Sequence, residues 1–320
     1  MNGFREALQA LDRADVPYSF RKRTYGEDDL PAEGEVDLWM RPADGRSADS
    51  ALRGVGFHRL DTPGRGPHRF YVAFLDGRWL KLDVKLAGRD EDEPRSRSGW
   101  RAFLHVAWRG LQRRRPASLH RTGPVVAVLG PDGAGKGTLI ESLRAEIPVA
   151  VTTVYLGGRR RGRPPGAPGS FKNARQAQRR IGPLREASGL ARWTLRMWRR
   201  LATVYAASWR GAVVLCDRHP VELLAVRPER TRLGRAVERF VTSRLIPWPD
   251  AVVVLDAPPE VLLRRKREHP VPVLQRWREG YEEVFGQRGA TIVSTDGPPG
   301  TAVARASEAV WDALRKRRGW

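Results

Sequence analysis

Apolar and polar positions alternate along this chain in two regimes. Up to residue 87 the pattern is mixed. Phe4-Arg5-Glu6-Ala7-Leu8-Gln9-Ala10-Leu11 repeats at helical spacing, whereas Val36-Asp37-Leu38-Trp39-Met40, Phe70-Tyr71-Val72-Ala73-Phe74 and Trp79-Leu80-Lys81-Leu82-Asp83-Val84 read as strands. Asp76-Gly77 between the last two is a hairpin signal. From Val125 onward, short apolar runs recur at 125–129, 151–156, 213–216, 251–255 and 291–293, with helical patterns between them. Such alternation predicts a parallel sheet with helices on both faces and a ligand at the carboxyl ends of its strands. The domains expected are 1–87, a linker with a short helix over 88–122, and 123–320. Within that linker, Gly88 to Ser96 is charged and aperiodic, and Trp100 to Gln112 is helical in pattern.

Composition adds a strong bias. The net charge is +22, with Lys and Arg crowding 159–200 against a single acid, Glu186. Nucleic acid, phosphorylated small molecules and an anionic membrane face would all be attracted, and an arginine-favouring genome would leave the same mark. Residues 159–169, rich in Arg, Gly and Pro, read as a loop. Leu190 to Trp209 is helical, with Leu190, Trp193, Met197, Leu201 and Tyr205 on one side and Arg192, Arg196, Arg199 and Arg200 on another. Core packing of the apolar stripe is the default, and an interfacial membrane helix is the alternative. The one cysteine, Cys216, excludes an internal disulfide framework and sits in an apolar run as a small core residue. Without a signal-peptide core or a bilayer-length apolar stretch, a cytoplasmic chain is expected.

The chemistry is concentrated in Gly130-Pro131-Asp132-Gly133-Ala134-Gly135-Lys136-Gly137-Thr138, which follows one strand run and precedes a helix. Glycines there let successive N–H groups face an anion, Lys136 adds charge for the β- and γ-phosphates, and Thr138 offers a hydroxyl to Mg²⁺. The N-terminal end of the helix adds its own positive end. The hydroxyl falls one residue later than in the usual motif, a spacing similar to that of adenylate kinases. ATP or GTP binding is the working expectation.

With Val214-Leu215-Cys216-Asp217-Arg218-His219, the run Pro249 to Glu260 and the arginines Arg264, Arg265 and Arg267, the second domain resembles the thymidylate kinase family. Arg276-Trp277-Arg278-Glu279-Gly280-Tyr281 and Thr291 to Gly297 resemble its later helix and last strand. The resemblance implies ATP and Mg²⁺ as cofactors, Asp132 near an acceptor's hydroxyl, Asp217 with Thr138 at the Mg²⁺ shell, and Arg218 with lid arginines Arg264 and Arg267 on the migrating phosphoryl group. Two departures fall on the acceptor side. Leu156-Gly157-Gly158-Arg159 stands where the family carries Arg-Glu-Pro-Gly-Gly, and Ala206-Ala207-Ser208-Trp209 where it carries Ala-Asp-Arg.

Glu35 and Asp37 share one face of a strand, and Asp83 lies in another. Paired acids joined by a third resemble the metal triad of the nucleotidyltransferase superfamily, although that family's Gly-Ser turn is replaced by Ser19-Phe20-Arg21-Lys22-Arg23. The fold class expected is therefore α/β: a P-loop nucleotide-kinase sheet preceded by a smaller α+β nucleotidyltransferase-like domain. The function expected is phosphotransfer to a nucleoside monophosphate or another small metabolite. Nucleic-acid end processing and a nucleotide-gated membrane or partner adaptor are the alternatives, and a homodimer stays open.

Overall fold

The computed structural model describes residues 2–22, 24–26, 29–60, 67–87, 122–157, 183–226, 232–267 and 269–320. The linker helix expected at 100–112 and the loop at 159–169 lie outside them.

In the first unit, helices α1 (Gly3–Arg13) and α2 (Gly45–Gly54) cover one face of a five-stranded sheet. Its strands are β1 (Tyr18–Phe20), β2 (Gly34–Met40), β3 (His58–Leu60), β4 (His68–Leu75) and β5 (Arg78–Leu86), in the order β1-β2-β5-β4-β3. The Asp76-Gly77 hairpin forms as the sequence predicts: both residues have positive φ, the twist that a two-residue turn between right-twisted strands requires. Alternation assigns the faces. Val36, Leu38, Met40, Leu80, Leu82 and Val84 pack under Phe4, Leu11, Leu52 and Phe57, while Asp37, Phe70, Val72, Trp79 and Asp83 occupy the other face.

The second unit is a parallel sheet of β6 (Val125–Leu129), β7 (Val151–Tyr155), β8 (Val213–Asp217), β9 (Ala251–Asp256) and β10 (Thr291–Ser294), ordered β10-β9-β6-β8-β7. Its helices are α3 (Lys136–Glu146), α4 (Pro183–Trp209), α5 (Leu223–Val226), α6 (Arg232–Phe240), α7 (Pro259–Arg265), α8 (Val271–Phe285) and α9 (Pro299–Arg318). Val126, Val128, Val213 and Leu215 face α3 and α9, whereas Val125, Ala127, Val214 and Cys216 face α4 and α8. Burial on both sides explains why the inner strands β6, β8 and β9 read as unbroken apolar runs, whereas the edge strands β7 and β10 are partly exposed. Cys216 is a core residue, and burial pushes its thiol up to about 12.

The two units share an aromatic seam. Trp79 meets Trp311 of α9 edge-on at 5.5 Å, and His58 stacks on Trp320 at 4.7 Å. Leu60, Phe70 and Val72 join the same buried cluster as Ala306, Val310 and Leu314.

Candidate functional site

The loop after β6 wraps at the carboxyl end of the sheet. Gly130 has φ of 137°, and a Cβ there would stand 2.6 Å from the Leu255 carbonyl oxygen, so only glycine lets the chain turn beside β9. Gly135, also left-handed, precedes α3, whose first residue is Lys136. Lys136 is buried and folds back on its own loop, donating to the carbonyl oxygens of Gly130 (2.8 Å) and Pro131 (2.9 Å). Burial, with Arg218 nearby, lowers its pKa. Ala134 is buried, while Gly137 and Thr138 are exposed on the first turn of α3.

Asp217 and Arg218 emerge from β8 beside this loop, anchored where the Arg218 N–H donates to the Val128 carbonyl (3.1 Å). Arg218 holds φ of 65°, rare outside glycine and costly enough to need compensation. Its guanidinium supplies that by pairing with Asp132 and with Glu222 (3.1 Å), and Tyr281 donates its hydroxyl to Glu222. Burial opposes the charged forms of both Arg218 and Asp132. The acids outweigh it for Arg218, whose pKa is raised, and Arg218 with Lys136 outweighs it for Asp132, whose pKa is lowered. Burial raises the Asp217 carboxyl, and its Oδ1 has no hydrogen-bond partner among the described residues. The orphaned Asp217 oxygen at the end of β8 and the Thr138 hydroxyl exposed on the first turn of α3 are both oxygen donors, the kind of ligand that Mg²⁺, a hard cation, takes.

Beyond Arg218 opens a cavity of about 620 Å³, bounded by Asp132, Tyr155, Gly157, Trp193, Lys266 and Trp277 among others. His219 also lines it; burial holds its imidazole down at about 4, so the ring is neutral. Arg200 donates to the Gly157 carbonyl (2.6 Å), pinning the segment where the acceptor-side motif departs from the family pattern. Gly158 and Arg159 lie outside the described residues.

No family model matches the chain. Two curated proteins do, both named thymidylate kinase. The chain is 30% identical over 111 residues to that of Coprothermobacter proteolyticus, covering 32% of this chain and 58% of the relative. It is 32% identical over 143 residues to that of Thermomicrobium roseum, covering 43% and 65%. The chain is similar to thymidylate kinases. It spans less than two thirds of the length of either relative. The likeness supports a thymidylate kinase-like P-loop unit, in agreement with the parallel sheet and the loop before α3.

The carboxyl end of the sheet gathers Gly130, Asp132, Gly133, Lys136, Asp217 and Arg218, and the arginines expected as a lid stand apart from the cavity. Arg264 and Arg267 are exposed and line no part of the cavity, whereas Lys266 lines it and Arg265 is tied to Thr295, donating to its carbonyl at 2.8 Å. Sequence reasoning missed Glu222 and Tyr281. Glu222 carried a signal, standing four residues after Arg218.

The first unit brings Glu35, Asp37 and Asp83 together, with ligand oxygens within 4.8 Å of one another and Asp37 opposite Asp83 in register. The same place already holds three cationic side chains and an imidazole. Arg21 bridges Asp37 and Asp83 (2.7 Å to the latter), Lys22 pairs with Asp37 at 2.8 Å, His68 Nδ1 meets Asp83 at 2.8 Å, and Lys81 reaches Glu35 at 3.1 Å. A divalent ion would have to displace the Arg21 guanidinium, so the residues as arranged do not fit one. Burial would raise Asp83, but His68 and Arg21 outweigh it and hold the carboxyl below its usual range. Arg21→Ala is expected to cost roughly 1–3 kcal/mol near neutral pH, between the values for exposed and fully buried pairs. A carboxyl lowered on folding stabilises above its unfolded pKa of about 3.9, and that contribution is lost as pH falls through the folded value. The gap between wild type and Arg21→Ala should therefore shrink in acid, as urea unfolding at several pH values would show.

Proposed function

We propose that this chain is an ATP-dependent phosphotransferase of thymidylate kinase type, acting on a nucleoside monophosphate or a similar phosphorylated metabolite. The observation that carries it is Arg218, held between the Lys136 loop and the cavity by Asp132 and Glu222. In this reading the loop amides and Lys136 bind the donor's β- and γ-phosphates, Lys136 exchanging its two carbonyl contacts for phosphate oxygens. Thr138 and Asp217 hold Mg²⁺, which neutralises charge on the phosphates. Arg218 faces the group in flight, with Arg264 and Arg267 as lid arginines over the donor and Lys266 at the cavity wall. Asp132 orients the acceptor, and the aromatic walls of Trp193 and Trp277 exclude water around it.

The first unit keeps a nucleotidyltransferase-like placement of carboxylates in this reading, with Arg21 standing where an ion would be needed. Calorimetric titration of the full chain with Mn²⁺ should accordingly give the same isotherm for wild type and Asp37→Asn. A stoichiometric site lost in the variant would return the triad to metal binding.

The activity itself is tested by incubating the chain with γ-labelled ATP and a panel of nucleoside monophosphates and sugar phosphates, with Arg218→Ala as the blank. Label should pass to at least one phosphorylated acceptor. ATP bound without transfer to any member would leave a nucleotide-binding module in place of a kinase.

A further inference from the structure

Helix α4 has two apolar faces. Leu190, Met197, Leu201 and Val204 are buried against the sheet, as its periodicity predicts. On the outward side Ala191, Leu195, Trp198, Ala202 and Trp209 recur three, four or seven residues apart, the spacing that keeps side chains on one face. Leu195 is 56% exposed, Trp198 44% and Trp209 70%. Directly beside this stripe runs a row of exposed arginines, Arg192, Arg196, Arg199 and Arg210, and from Ser188 to Arg210 there is no acid. Helix α6 packs alongside and continues the character, exposing Phe240 and Arg239.

From this arrangement we infer that the outward face of α4 is a docking surface for an anionic lipid bilayer. An apolar row of Trp and Leu flanked by arginines is what a helix lying in the interfacial plane requires: the hydrocarbon enters the acyl boundary and the guanidinium groups meet lipid phosphates. Charge complementarity selects this occupant. A second copy of the chain, meeting this face antiparallel across a two-fold axis perpendicular to the helix, would set the arginine rows side by side with no acid from Ser188 to Arg210 between them. A polynucleotide would satisfy the arginines but give Leu195 nothing to bury against, since bases stack on aromatic and guanidinium planes. Among the described residues no helix is long and apolar enough to cross a membrane, so the contact is peripheral.

Leu195 and Trp198 take no part in the cavity, so their replacement leaves the nucleotide site as a control. Full-length protein is sedimented with vesicles of phosphatidylcholine alone and with phosphatidylglycerol added. Binding is expected to the anionic vesicles only. Leu195→Ser/Trp198→Ser should weaken it at least about tenfold, because two exposed apolar side chains lose their burial. Arg196→Gln/Arg199→Gln should weaken it by a similar factor and flatten its salt dependence. Both variants should keep the wild-type ATP-dependent thermal shift, which shows that they fold. Three results would overturn the inference: no difference between neutral and anionic vesicles, vesicle binding undiminished in Leu195→Ser/Trp198→Ser, or a wild-type dimer in light scattering that this variant abolishes. Oligonucleotide binding that falls in this variant while vesicle binding does not would transfer the surface to nucleic acid.

Discussion

Lys136→Ala is expected to lose most of the thermal stabilisation that ATP with Mg²⁺ gives the wild-type chain. A ligand bound only by the folded state adds RT ln(1 + [L]/Kd), about 2.7 kcal/mol at a hundredfold excess over Kd. The ammonium of this lysine already rests on the carbonyls of Gly130 and Pro131, inside the loop that would take the phosphates. Alanine also removes those two contacts. The unliganded melting temperature of the variant therefore has to be measured first, and the ligand-induced shift read from that baseline. Phosphotransfer should fall by roughly 10²–10³, the usual effect of losing a preorganised charge. A thermal shift equal to that of the wild type would remove Lys136 from the donor site.

Arg218→Ala should separate turnover from donor binding. The guanidinium stands on the cavity side of the loop, and its partners are Asp132 and Glu222. We expect turnover to fall by roughly 10²–10³ while the ATP dissociation constant moves by less than about threefold. Alanine leaves two acids in a partly buried place without their counter-charge, so some loss of stability accompanies it. Arg218→Lys distinguishes the roles. It keeps the charge but not the forked geometry that serves Asp132 and Glu222 together, and should recover stability more fully than turnover. Equal losses in turnover and ATP affinity would place Arg218 on the donor phosphates.

The parallel sheet and the loop around Lys136 were legible because each is written in a contiguous stretch: five apolar runs, and glycines ahead of a helix. The hairpin at Asp76-Gly77 was legible for the same reason. What stayed hidden depends on partners brought together only by folding. Tyr281 donates to Glu222 across 59 positions, and nothing near either residue announces the other. The Glu35, Asp37 and Asp83 cluster was readable as carboxylates on adjacent strands. That Arg21 lies between two of them depends on how β1 leads into the segment after it, which local patterning does not encode. The outward stripe of α4 was overlooked for a different reason: one apolar stripe explains a surface helix, and a second is visible only once the first is seen to be buried.

The seam of Trp79, Trp311, His58 and Trp320 couples the fates of the two sheets. Helix α9 packs on the kinase-like sheet with one side and receives the first unit on another, so neither sheet can open fully without exposing indole to water. Heating should therefore melt the chain in a single cooperative step, with tryptophan fluorescence and backbone dichroism giving one coincident transition. Synthesis imposes an order as well: strands β3 to β5 emerge long before Trp311 and Trp320, which supply the other half of the interface.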